Sequence, residues 1–218
     1  MNNQTLGIIV LAAGEGTRMK SSLPKVLHRI CGRPLLGHAL AVADALESVA
    51  TVVVLAPDTI DQVRAQLGPR YQYAVQSERL GTGHAVLQAR HLLQHASDDV
   101  LVLFGDTPLL RAETARSVVE ARRTSGALLS LLSFHAHPPT GYGRVLRDAD
   151  GQVVALIEER NATPEQRAIS EGNSGIMCFD SAWLWQAIDR VERNPVKGEY
   201  YLTDLVAMAV AERGPGAA

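Results

Sequence analysis

The sequence predicts an α/β fold in which a mostly parallel sheet flanked by helices carries a smaller β-rich lobe. Three observations predict it. Short, wholly apolar runs in the first half alternate with amphipathic stretches long enough for crossover helices, as buried parallel strands require. From Gly126 onward the pattern changes to strand-like pieces in close succession. Neither an internal repeat nor a low-complexity linker separates the two halves, so the expectation is one domain over 1–218, with 1–125 forming one part and 126–218 the other.

Taken in order, Gly7–Leu11 (GIIVL), Thr51–Leu55 (TVVVL) and Val100–Phe104 (VLVLF) are too apolar to show one wet face and read as central strands. Pro34 suits the first turn of a helix running through Ala45; Asp58–Leu67 and Gly83–Gln94 carry helical patterns. Ala127–Phe134, Arg144–Arg147, Gln152–Glu158 and Ser174–Phe179 read as strands, with Asp150-Gly151 as a hairpin turn between the middle pair. Helical patterns at Ser181–Val191 and Tyr201–Glu212 follow, and the tail GPGAA is expected to be disordered.

Composition narrows the function. A formal net charge of -2 supplies no polyanion-binding field, which argues against nucleic acid as a partner and makes any phosphate recognition local. The start MNNQTLGIIVLAAG has no basic segment before a long apolar stretch, and no run approaches the roughly 20 apolar residues of a membrane span, so a cytoplasmic protein without a membrane partner is expected. Cys31 and Cys178 are far apart and belong to no Cys/His cluster. Two reduced, buried thiols are expected rather than a disulfide framework or zinc site.

Leu11-Ala12-Ala13-Gly14-Glu15-Gly16-Thr17-Arg18-Met19, then Leu23-Pro24-Lys25-Val26, leaves the first strand at its carboxyl end, where open α/β sheets bind ligands. Small residues let backbone N–H groups approach a base or phosphates, and Arg18 and Lys25 can neutralise phosphate oxygens. The same residues also suit a tight strand-to-helix connection with two solvated charges. Met19 stands where the dinucleotide fingerprint wants a third small residue, and the P-loop's Gly-Lys-Ser/Thr closure is missing.

Gln76 precedes a Gly81-Thr82-Gly83 turn that enters a helix with His84 and Ala85. A side-chain amide both donates and accepts, which matches a pyrimidine edge, though an exposed Gln76 and a helix cap by Thr82 fit equally. Asp106, after Phe104-Gly105, emerges at a strand end, either as a turn residue or as an oxygen ligand for Mg²⁺. Gly143 in the aromatic turn Thr140–Val145, Glu158, Asn173, Tyr201 and Thr203 are each unremarkable alone. Together they offer the directional polar groups a hydroxyl-rich ring demands. His84 is expected to pack its helix, and the remaining histidines to pack or lie on the surface.

LAAGEGTRM followed by LPKVL resembles the signature of the sugar-nucleotide pyrophosphorylases, and nearly the whole chain resembles the N-terminal half of the bifunctional N-acetylglucosamine-1-phosphate uridylyltransferase/glucosamine-1-phosphate acetyltransferase family. The resemblance implies a Rossmann-like nucleotidyltransferase fold with a sugar-binding lobe. It implies a Mg²⁺-dependent transfer of a uridylyl group from UTP to N-acetylglucosamine 1-phosphate, with pyrophosphate released. Leu11, Ala12, Ala13 and Gly14 would wrap the nucleotide, with Gln76, Gly81 and Thr82 on uracil and Phe104 and Gly105 at the ribose. Arg18 and Lys25 would act on the reacting phosphates. Asp106 would hold the metal, and Gly143, Glu158, Asn173, Tyr201 and Thr203 would surround the sugar.

Four departures qualify this. The acetyltransferase β-helix of hexapeptide repeats is absent from these residues, and a homo-oligomer is expected only if such a C-terminal domain supplies it. The family's second metal ligand, an asparagine beyond the final helix, is likewise absent. Arg160 replaces a usual lysine, and Asn173-Ser174-Gly175 replaces Asn-Thr-Gly. Two alternatives stand beside this expectation: a nucleotidyltransferase with a CDP-, dTDP- or GDP-linked product, and a non-catalytic nucleotide-sugar-binding regulatory subunit.

Overall fold

A computed structural model describes residues 4–137 and 139–218, with the Arg18 side chain outside the described residues. Met1–Asn3, part of the start read above for a leader, lie outside them too. The first half runs β1 (Leu6–Leu11), β2 (Arg29–Ile30), β3 (Arg33–Pro34), α1 (Leu35–Asp44), β4 (Ala50–Leu55), α2 (Ile60–Leu67), β5 (Gln72–Val75), α3 (Thr82–Leu87), α4 (Arg90–Leu93), β6 (Asp99–Phe104) and α5 (Ala112–Ser125). The second half continues with β7 (Leu129–His135), β8 (Arg144–Arg147), β9 (Val153–Ile157), α6 (Pro164–Arg167), β10 (Glu171–Asp180), α7 (Ser181–Ala187) and α8 (Asp204–Arg213).

One eight-stranded sheet holds both halves in the order β5-β4-β1-β6-β10-β8-β9, with β7 also paired to β10. The first four of these strands are parallel, and β10 enters antiparallel to β6. β1 is buried along its whole length because both of its faces are covered. Ile8 and Val10 pack with α1, α2 and α5, whereas Ile9 and Leu11 pack with α3, α4, α7 and α8. The unbroken apolar run therefore serves two cores at once. The expected α/β architecture, a mostly parallel sheet flanked by helices, is what the chain forms.

Four details differ from expectation. The tail is ordered: Ala217 is buried, and its carbonyl accepts hydrogen bonds from Leu128 and Leu129 at 3.0 and 3.3 Å. Cys31 is exposed, because with Gly32 it forms the two-residue turn between β2 and β3, where both φ angles are positive (50° and 78°) and the tip faces solvent. Cys178 is buried as expected. The helix expected over 83–94 is two, interrupted at Gln88-Ala89. Edge strand β5 and the charged helix α5, whose buried residues are Ala115, Val118, Val119 and Arg122, lie in stretches where the periodicity alone set no boundaries. Among the described residues no helix is long and apolar enough to cross a membrane.

Candidate active site

The loops that follow β1, β5 and β6 leave the same edge of the sheet, and the ladder holds each at its root. Ala12 donates to Val54, Gln76 to Leu55 and Gly105 to Leu11, at 2.8, 2.8 and 2.9 Å. In the first loop Gly16 has φ 65°, and a Cβ there would stand 2.6 Å from the Cβ of Lys25. Only glycine admits that approach. Val26 and Leu27, buried in a short 3₁₀ turn, anchor Lys25 from the other side, and its Nζ forms an ion pair with Asp106 across 81 residues. Both side chains stay about a third exposed (30% each), so the pair is reachable from the cleft.

Beside this pair lies a buried amide. Gln76 is 4% exposed; its Nε2 donates to the Gly81 carbonyl at 3.0 Å and lies 3.2 Å from His84 Nδ1. Gly81 has φ 96°, with Tyr200 O only 2.5 Å from where a Cβ would be. That closeness lets the chain from Glu199 run against the turn. Tyr200 N donates to Leu80, Gly83 N to Tyr200, and Leu202 N to the Thr82 hydroxyl, at 2.7, 2.8 and 3.0 Å. Thr82 is thus occupied in joining the two halves, and Gly81 takes the cap position of α3.

The opposite wall comes from the second half. Register between β10 and β7 shifts between Asn173 and Met177, a bulge centred on Gly175 (φ 86°), against which the Phe104 ring packs. Asn173 Oδ1 accepts from Gly175 N at 2.9 Å, while Asn173 N donates to Gly143 O at 2.9 Å. The bulge therefore fixes both residues at the cleft. Arg144, 2% exposed, donates to Tyr142 O, to Glu159 at 3.1 Å and to Arg167 O. Glu159 closes the clamp by accepting from Gly141 N at 2.8 Å, and that bond, with Arg144 second, holds its carboxyl below the usual range. Tyr201 is buried, its ring faces the Arg160 guanidinium at 5.3 Å, and its hydroxyl has no hydrogen-bond partner among the described residues.

These walls enclose a cleft of about 1230 Å³, ample for a nucleoside triphosphate and a sugar together. Leu11, Ala12, Ala13, Gly14, Lys25, Gln76, Gly81, Thr82, Phe104, Asp106, Gly143, Glu158, Asn173, Tyr201 and Thr203 all line it. Gly105 is not on its surface; it packs behind, where a Cβ would press on Leu36 and Ala12. The Arg18 side chain lies outside the described residues. The structure adds Arg79, Tyr142, Glu159 and Glu199, which the sequence did not single out as site residues, and brings Arg160, noted there as replacing a usual lysine, to the same surface. Arg79 binds Ala13 O and both oxygens of Asp58 at 3.1 Å, partners 66 and 21 residues away that no local pattern could signal.

Residues 8–179 match the MobA-like NTP transferase domain, a span covering β1 through most of β10 and thus nearly every wall of the cleft. The chain belongs to this family. It is similar to the bifunctional protein GlmU of Geobacillus thermodenitrificans, 43% identical over 94% of this chain and 45% of that protein. GlmU of Pelotomaculum thermopropionicum is 45% identical over the same two shares, and GlmU of Stutzerimonas stutzeri 45% identical over 95% and 45%. The chain spans less than half the length of these relatives. As an NTP transferase it is a nucleotidyltransferase, of a kind that is generally metal-dependent.

Proposed function

We propose that this nucleotidyltransferase transfers a uridylyl group from UTP to N-acetylglucosamine 1-phosphate, giving UDP-N-acetylglucosamine and pyrophosphate. One observation carries the reading: three chemistries from distant segments meet in one cleft. A buried amide suits a pyrimidine, a glycine loop with the Lys25–Asp106 pair suits phosphates, and the bulge-held Asn173 with Glu158 and Tyr201 suits a polar ring. The unpartnered Tyr201 hydroxyl supports a ligand on that last wall, since a buried hydroxyl without a partner is costly. On this reading residues 1–125 are mainly the nucleotide part and 126–218 mainly the sugar part of one domain.

Leu11–Gly14 would receive the nucleotide, Gln76, Gly81 and Thr82 the uracil, and Phe104 the ribose, with Gly105 shaping it from behind. Gly143, Glu158, Asn173, Tyr201 and Thr203 would surround the sugar. Attack by a sugar 1-phosphate oxygen on the α-phosphorus needs no general base, because a phosphate dianion is already a nucleophile. Positioning and charge stabilisation dominate such a transfer. Lys25 and Arg18 would neutralise charge on the reacting groups, with Asp106 and the Gly16 contact holding the Lys25 ammonium in place.

The donor set fits one kind of metal. No group of three His, Cys, Asp or Glu is gathered among the described residues, which disfavours an ion held by protein ligands alone. Asp106, the cleft carboxylate paired with Lys25, fits Mg²⁺, which takes one or two carboxylates and completes its shell with water and substrate phosphates. When bound it would supply charge neutralisation to the triphosphate. Steady-state pyrophosphate release from UTP and N-acetylglucosamine 1-phosphate, against CTP, dTTP and GTP, tests the proposal. Activity with UTP at least tenfold above the others is expected, about 1.4 kcal/mol of discrimination. Equal use of CTP, or no turnover with any pair, would refute it.

A further inference from the structure

We propose that His84 is a positioning residue: it fixes the orientation of the Gln76 amide and thereby makes the base subsite select uracil over cytosine. The inference rests on the uridylyl reading above and extends it to a residue that, from sequence, was assigned only to helix packing.

The hydrogen positions follow from the partners. Gly81 O can only accept, so the Gln76 atom 3.0 Å from it is the NH₂ group. That same nitrogen lies 3.2 Å from His84 Nδ1, and its second hydrogen requires an acceptor there. Nδ1 must then be unprotonated. The amide is caught between a carbonyl and an imidazole lone pair, and Oε1 is turned away from both. Oε1 has no protein partner among the described residues and is not among the buried atoms that lack one. Gln76 lines the cleft, so the group it presents there is an acceptor.

Gln88 sits at the other ring nitrogen. Its Nε2 donates to His84 O at 2.9 Å and lies 3.2 Å from Nε2 of the ring. A neutral imidazole accepts at one nitrogen only, so both amides cannot donate to it. Burial decides between them. Gln76 is 4% exposed, with its NH₂ group turned inward to the Gly81 carbonyl, whereas Gln88 is only half-buried and can turn its second N–H to solvent. The proton therefore belongs on Nε2, and Nδ1 accepts from Gln76.

An acceptor facing the ligand reads the two pyrimidines oppositely. Uracil offers N3–H to it, whereas cytosine offers the N3 lone pair, which repels it. Without an acceptor at Nδ1, the Gln76 amide loses one of the two contacts that hold its NH₂ inward and can turn over.

Two variants place an amide at different ring positions. His84→Asn puts it where Nδ1 stands, within reach of Gln76; His84→Gln puts it where Nε2 stands, towards Gln88. Pyrophosphate release would be measured with UTP and with CTP on the wild-type chain and both variants, alongside thermal melts. His84→Asn should keep the UTP-to-CTP ratio of kcat/KM within about twofold, and His84→Gln should lower it about tenfold through KM for UTP rather than kcat, the scale of one hydrogen bond and its reversal. If His84→Gln does not fold, His84→Leu takes its place. A folded Gln or Leu variant with the wild-type ratio overturns the role of His84 and leaves the uridylyl reading standing. A wild-type chain with no preference for UTP removes that reading, and this inference with it.

Discussion

Lys25 reaches the cleft only because Gly16 has no side chain, which makes these two positions the sharpest tests at the scale of single residues. Lys25→Ala should lower kcat by about a hundredfold or more, since a charge contact made chiefly in the transition state is lost. Its melting temperature should barely move, because a partly exposed ion pair contributes only about 0–1 kcal/mol. Near wild-type turnover in Lys25→Ala would remove this residue from the chemistry. Gly16→Ala meets two obstacles at once, a left-handed φ and a contact with the stem of Lys25. A loss of about 1 kcal/mol in chemical denaturation, together with a larger fall in kcat/KM than the stability change explains, is the expected pair of results. Asp106, which belongs to no group of three candidate ligands among the described residues, should bind Mg²⁺ weakly until a nucleotide brings its phosphates. Calorimetry of each ligand with and without the other should show equal coupling in both directions, and Asp106→Asn should shrink both. Tight Mg²⁺ binding to the free protein that survives Asp106→Asn would place the metal elsewhere.

At the scale of elements, the turn between β7 and β8 has a bond of its own, Tyr142 N to Pro139 O at 3.3 Å, and is held further by the Arg144–Glu159 clamp. Tyr142 also stands edge-on to Phe134, with ring centroids 4.7 Å apart. Glu159→Gln weakens the clamp at Gly141 N and at Arg144 together. The KM for the sugar phosphate should rise about fivefold, roughly one charge-assisted hydrogen bond weakened to a neutral one, while the KM for UTP stays put. Equal increases in both would show that the turn does not act on one substrate alone. The direction of pH dependence follows from the lowered carboxyl of Glu159. The clamp is fully formed above the ordinary glutamate range, and it is lost only as pH falls below that range through the depressed value. Because the substrate phosphate itself titrates at about pH 6, the ratio of the Glu159→Gln KM to the wild-type KM for the sugar phosphate is the readout: it should be constant from pH 7 to 5 and fall towards one at lower pH.

For the molecule as a whole, β10 is the strand on which the halves depend, because it pairs with β6, β7 and β8. Glu171 at its start binds Arg147 of β8 through both oxygens, at 2.7 and 2.8 Å, and Ser133 of β7 at 2.6 Å. The Arg147 bonds, opposed by burial, bring its carboxyl down to about 2. A depressed folded value means stability that is complete above the ordinary glutamate pKa of 4.5 and is lost as pH falls from there towards 2. The contribution is about 2 kcal/mol once the exposure of Arg147 is allowed for. Glu171→Gln should therefore be less stable at pH 7 and show a flatter decline between pH 4.5 and 2, as read by urea denaturation. A parallel decline would place the acid sensitivity in other groups. The sequence alone determined the α/β class and the three apolar strands, because buried parallel strands are local signals, and its resemblance to the pyrophosphorylases picked out most of the residues that line the cleft. The ordered tail, the exposed Cys31, Arg79, the Arg144–Glu159 clamp and the bond between His84 and Gln76 were settled only by tertiary structure. Each depends on which group a side chain or carbonyl meets after folding, often a distant one, and such a meeting leaves no period or spacing in the chain.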